Sequence, residues 1–196
     1  HAIHAGQRDG LEGVAVLGDG YMAISDERQH NLSIFRINAD TRALDVKEFV
    51  QQVDLAPVGE SNKGFEGLAW DARNQRFLLG NEKNPLALYE LASDGRKITG
   101  KLRELASLGS LMTDLSGLTV DPKSGHILAL SQESHLLVEL AADYRPLNFI
   151  ALLRGLHGLE HFIPQAEGVA LDVAGNLYIV SERNLFYVFH KQPLAD

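Results

Sequence analysis

The chain has 196 residues, 45% of them hydrophobic, which fits one domain of ordinary size with a substantial core. A formal net charge of −8 without any basic run excludes a nucleic-acid footprint, and fits a soluble surface or the attraction of cations. There is no cysteine, hence no disulfide and no thiolate metal ligand, and no apolar run approaches the roughly 18–20 residues of a membrane-spanning helix.

Residues 1–10 (HAIHAGQRDG) are polar and read as a frayed or tag-like start, or as a strand added to another element. The chain opens on His1, so any signal peptide or anchor is expected upstream. Apolar runs at 14–16 and 21–25 flank Leu17-Gly18-Asp19-Gly20, a β-hairpin with a Gly/Asp loop. Strands at 31–37 and 44–53 follow, with a polar turn at 38–42 and a loop at 55–63 marked by Pro57 and Gly59. The order then recurs: strands at 68–70, 77–79, 86–91 and 97–105, and again at 118–120, 127–130, 136–140 and 147–153. Residues 154–165 form an insertion. Strands at 169–171, 177–180 and 185–189 complete a fourth unit that lacks its fourth strand. Short helical patches are expected around 106–112 and 156–161.

The units share a motif: LEGVAVLGDGYMAISDER, FEGLAWDARNQRFLLGNEK, LSGLTVDPKSGHILALSQE and AEGVALDVAGNLYIVSER. The repeat glycines Gly13, Gly67, Gly117 and Gly168 are 54, 50 and 51 residues apart. A period near 50 with four short strands per unit predicts an all-β chain folded as a β-propeller. A single domain covers 1–196, with blades at about 11–53, 65–105, 115–154 and 166–190. Four blade repeats nearly exhaust the chain, and residues 1–10 are a poor latch strand. The expectation is therefore a part of a larger five- or six-bladed propeller.

Each repeat carries two polar positions, both acidic in three of the four copies. Glu12, Glu66, Ser116 and Glu167 precede the glycines; Glu27, Glu82, Gln132 and Glu182 lie 14, 15, 15 and 14 residues after them. One strand out and one strand back returns both positions to the same end of the blade. Six carboxylates then crowd one face of the ring, and like charges at that density need a neutraliser. A hard cation such as Ca²⁺, taking six to eight oxygens, is one. Ion pairs are the other, since Arg28, Lys83 and Arg183 directly follow the closing acids. Glu12, Glu66, Glu167, Ser116 and Asn81 are the candidate metal ligands, or else bond to backbone amides of the adjacent blade. Glu27, Glu82, Gln132 and Glu182, with Arg28, Lys83 and Arg183, are the candidate ligand-binding or inter-blade residues. The third repeat is the exception, with Ser116 and Gln132 in place of acids and Glu133 in place of a cation.

Other chemistry is weaker. His157-Gly158-Leu159-Glu160-His161 matches the H-x-x-E-H zinc pattern, but that motif needs a stable helix and here lies between Gly155 and Pro164. His126 and His135 read as surface residues. No G-x-S-x-G motif and no Ser/His/Asp order occurs, so no catalytic residue is assigned.

The four stretches, together with NEKNPLALYEL and SERNLFYVF, resemble the SdiA-regulated family, also called YjiK/CarP-like, from about residue 9 to 189. The resemblance implies a β-propeller of the bacterial periplasm or envelope, usually longer than this chain and preceded by a signal or membrane anchor. It implies similarity to phytase-type and lactonase-type propellers, a branch linked to calcium homeostasis, and no firmly attached enzymatic activity. Three functions are open. One is a module that binds Ca²⁺ or a small ligand at the channel mouth, with Gln132 as a further neutral donor. The second is a metal-dependent hydrolase using Glu82 or Glu182 as base. The third is a scaffold for a protein partner.

Overall fold

A computed structural model describes residues 10–44, 49–55, 58, 64–182 and 184–191; the expectations for residues 1–9 and for Arg183 lie outside that set. The described chain is all-β, and four antiparallel sheets stand as the blades of a propeller. Blade one is β1 (Leu11–Gly18), β2 (Tyr21–Asp26), β3 (Asn31–Arg36) and β4 (Phe49–Asp54). Blade two is β5 (Phe65–Asp71), β6 (Arg76–Asn81), β7 (Ala87–Ala92) and β8 (Arg103–Ser107). Blade three is β9 (Gly117–Val120), β10 (Ile127–Ser131), β11 (Leu136–Leu140) and β12 (Pro146–Ala151). Blade four has three strands, β13 (Ala166–Leu171), β14 (Leu177–Ser181) and β15 (Leu185–Phe189).

Each blade is a meander because its turns dictate it. Asp19 and Gly20 have φ of 52° and 78°, the paired positive dihedrals of the two-residue hairpin turn that matches strand twist. The fourth strand of blade two begins at Arg103 rather than 97, because Ser93 and Ile98 form a separate bridge around the Asp94-Gly95 turn. The helical patches do not form. Residues 106–112 continue β8 and then turn, with the amides of Leu111 and Met112 bonded to the Leu108 carbonyl. Residues 156–161 are turns and bends, with the Leu159 amide bonded to the Leu156 carbonyl.

Apolar clusters fill the three junctions between successive blades. Ala15, Leu32 and Ile34 of blade one meet Phe65, Leu68, Phe77 and Leu79 of blade two. Leu78 and Leu88 of blade two meet Leu115, Leu118 and Ile127 of blade three. Leu130 and Leu137 of blade three meet Ala166, Leu177 and Ile179 of blade four. Each fully buried side chain of this size contributes about 1.5–3 kcal/mol. A half-buried ionic cluster joins blades two and three: Arg76 donates to Asp71 (2.9 Å), Glu90 (2.7 Å) and the Tyr144 hydroxyl (2.9 Å).

The inner strands β1, β5, β9 and β13 stand side by side in that order and enclose a space of about 500 Å³. Val14, Val16, Trp70, Val120 and Leu171 are among its lining residues. No comparable packing joins β13 back to β1 among the described residues.

Candidate metal centre at the channel mouth

The acids before the repeat glycines owe their direction to irregular pairing. In blades one, two and four the register between the first two strands shifts across Glu12, Glu66 and Glu167. An extra residue at such a bulge is left out of the ladder and re-aimed. The glycine that follows is needed for close approach of the next blade. A Cβ on Gly13 would stand 2.5 Å from the Leu68 Cβ, and one on Gly67 2.5 Å from Leu115 Cδ2 and 3.1 Å from the Leu118 Cβ.

Among the described residues, Glu27, Glu66 and Glu82 form a carboxylate group, each offering an oxygen within 4.8 Å of the others. It straddles the junction of blades one and two. Glu27 follows β2, and its Oε1 accepts the Gly64 amide proton (3.0 Å), which draws the end of β2 to the start of β5. Glu82 follows β6 and is buried, with the Lys83 ammonium 3.8 Å away. Lys83 also reaches Glu133 in blade three.

The electrostatics carry the mark of this crowding. Glu66 is pushed up to about 8, by burial first and then by the negative charges of Glu82, Glu27, Glu167 and Glu12. Glu167 is pushed up to about 7 by burial, then by Glu182, Glu12, Asp114 and Glu82. Glu12 is raised by burial and then by Glu27 and Glu182, with Arg28 opposing. The opening acids thus share one electrostatic field across the mouth.

The other expected positions are placed as follows. Ser116 is buried, and its hydroxyl donates to the Ala166 carbonyl of blade four (2.6 Å), a bond between blades. Asn81 is buried, and its amide nitrogen donates to the carbonyls of Lys83 (2.8 Å) and Pro85 (2.7 Å). Its Oδ1 has no hydrogen-bond partner among the described residues. Glu182 is exposed and accepts the Gln165 side-chain amide (2.7 Å). Gln132 is half-buried, and its carbonyl accepts the His135 amide (3.2 Å). Arg28 is exposed beside Gly10.

Asp114 is a mouth residue that the repeat did not reveal. It is buried, accepts the Ser131 hydroxyl and takes the Glu133 amide at 3.1 Å. It stands three residues before Gly117, where Gly10 and Gly64 precede Gly13 and Gly67. Blade three, which lost both repeat acids, therefore carries a carboxylate from a different position. The only signal in sequence is an acid where two other copies have glycine. The H-x-x-E-H stretch forms no helix: His157, Gly155 and Gly158 have φ of 51°, 83° and 79°. His126 pairs with Glu139 (2.7 Å), and the His135 ring packs 5.0 Å from that of Phe162.

Clustered carboxylates with carbonyl and amide oxygens nearby are the donor set of a hard cation, not of a soft one. Solved structures similar to this chain are propeller-like. A calcium-binding protein, regucalcin from Agrobacterium tumefaciens, matches at 14% identity and a TM-score of 0.59, over 89% of this chain and 54% of that one. A chain of a nidogen/laminin complex matches at 16% identity and 0.56, over 92% of this chain and 64% of that one. Hydrazine synthase from Kuenenia stuttgartiensis matches at 10% identity and 0.56, over 94% and 46%. The chain spans about half to just under two thirds of the length of these structures. A family model described as SdiA-regulated matches residues 3–190, nearly the whole chain, and the protein belongs to the SdiA-regulated family.

Proposed function

We propose that this propeller binds a divalent cation, Ca²⁺ foremost, at the acidic mouth of its channel, in the service of calcium handling or signalling at the bacterial envelope. The observation that carries this reading is the convergence of Glu27, Glu66 and Glu82, with carboxylate oxygens within 4.8 Å of one another across a blade junction. Three negative charges so close repel unless protonated or bridged, and a cation with oxygen ligands bridges them. The ligand set differs from the ring expected from the repeat. Glu66 stays at its centre, Glu27 and Glu82 join it, and Glu12, Glu167, Glu182 and Asp114 supply surrounding negative potential. Ser116 already serves the junction of blades three and four. That regucalcin, one of the similar structures, is a calcium-binding protein supports the choice of ion.

Calorimetric titration with Ca²⁺ tests the reading. The wild-type chain is expected to bind, and a Glu66→Gln, Glu82→Gln double variant to lose about tenfold or more in affinity, about 1.4 kcal/mol. Absence of binding heat and of any thermal shift with Ca²⁺ in the wild type would sink it.

A further inference from the structure

Alternation along β6 sorts its side chains between two junctions. Phe77 and Leu79 belong to the apolar cluster shared with blade one, whereas Leu78 and Gly80 meet blade three. Asn81 follows at the mouth end of the strand. By the same period it faces blade one, as do Phe65 and Ala87, its partners in β5 and β7. That junction is the one where Glu27 of blade one meets Glu66 and Glu82 of blade two. Glu66 is the bulged residue between Phe65, opposite Asn81, and Gly67, opposite Gly80. Glu82 is the residue after Asn81.

Asp26, Ser131 and Ser181 end the second strands of the other blades as Asn81 ends β6, and all four residues are buried. The other three engage their own mouth loops. Asp26 Oδ1 accepts the Gln29 amide (2.9 Å), Ser131 Oγ accepts the Ser134 amide (3.1 Å), and the Ser181 hydroxyl donates to the Pro164 carbonyl. Asn81 turns its nitrogen to the loop instead. Nδ2 donates to the carbonyls of Lys83 and Pro85, and Oδ1 has no hydrogen-bond partner among the described residues, although the residue is only 1% exposed. The two carbonyls fix which end of the amide is which, because turning it over would set oxygen against both. A buried amide oxygen without a partner is unfavourable until something positive meets it.

We propose that Asn81 Oδ1 is a neutral protein ligand of the cation held by Glu27, Glu66 and Glu82. This rests on the cation binding proposed above and adds a ligand to it. An amide oxygen is a hard donor of the kind that Ca²⁺ takes beside carboxylates. It supplies coordination without adding charge to a site already crowded with negative charge. The Nδ2 bonds hold the oxygen in place and tie it to the turn that follows Glu82.

Europium(III), a hard oxygen-seeking cation, is the probe, since its luminescence decay in light and heavy water counts the waters bound to it. The wild type is expected to bind it. Asn81→Ala is expected to admit about one further water at the ion and to lose about tenfold in Ca²⁺ affinity. Asn81→Asp controls for the turn: it loses the same Nδ2 bonds but keeps an oxygen, so its water count is expected not to rise. A gain of water in both variants would overturn the proposal and leave Asn81 only the role of holding the turn. An unchanged water count and affinity in Asn81→Ala would overturn it while the carboxylate site stands. A wild type that binds neither ion would overturn the cation reading itself, and this ligand with it. Thermal melts check that both variants fold. Wild-type protein labelled with carbon-13 asparagine gives a readout that needs neither: one side-chain carbonyl resonance is expected to move on addition of Ca²⁺, and a spectrum in which none moves would also overturn the assignment.

Discussion

Glu66 concentrates the chemistry of the mouth in one side chain. Its bulge turns it out of the ladder, burial strips its water, and four carboxylates surround it. A carboxyl held at about 8 keeps a proton that the unfolded chain has already lost above the ordinary carboxylate range. The native state thus binds more protons than the unfolded state between those limits, and stability falls as pH rises through that window. Thermal unfolding from about pH 5 to about pH 8 is expected to show this fall. Glu66→Gln should flatten it and raise the melting temperature near the upper limit by about 2–4 °C for each kcal/mol recovered. An unchanged slope in the variant would remove Glu66 as the cause. The repeat made Glu66 visible as a candidate, but not its partners. Glu27 and Glu82 are one strand further out in their own blades. The acids of the two blades meet where the blades pack together, and the Gly64 amide held by Glu27 draws the end of β2 to the start of β5. Asp114 was hidden for the opposite reason, since it sits outside the repeat pattern altogether.

At the scale of the element, each junction depends on a glycine in the inner strand. Gly67 lets β5 approach Leu115 and Leu118 closely, and Leu115 also fills the space over Gly80. Gly67→Ala puts a methyl group within 2.5 Å of Leu115 Cδ2 and 3.1 Å of the Leu118 Cβ, so the buried Leu115 side chain must repack or blade three must shift. The expected cost is about 1–3 kcal/mol, measured by denaturant unfolding with unchanged slope. Gly168→Ala meets only Val180 of its own sheet and is the milder control. The blades themselves were legible strand by strand, because hairpin turns and alternation are local. The misplaced segments were short apolar ones. Residues 106–112 have a helical look, yet β8 extends to Ser107 because β7 supplies its backbone partners. The fourth strand of blade two was placed early for a similar reason, since the outer strand is half-exposed and its pattern weak.

At the scale of the molecule, stability runs down the arc. Among the described residues, blades two and three are covered on both faces, while blade four is covered on one and β15 has one strand neighbour. Amide hydrogen exchange at low protein concentration should therefore be fastest in β15 among the strands and slowest in β6, β7 and β10. Equal protection of β15 and β7 under those conditions would contradict this gradient. The sequence by itself determined the class of fold, because a blade is built from contacts between neighbouring strands and these are written into a period of about 50 residues. It also determined that acids return to one end of each blade, since the strand count fixes that. Which acids meet, that Ser116 bonds across a junction, that Asp114 joins the mouth and that Asn81 keeps an oxygen unpartnered among the described residues were decided only by the tertiary structure. These depend on how one blade's side chains are set against the next, and spacing along a chain does not encode that angle or separation.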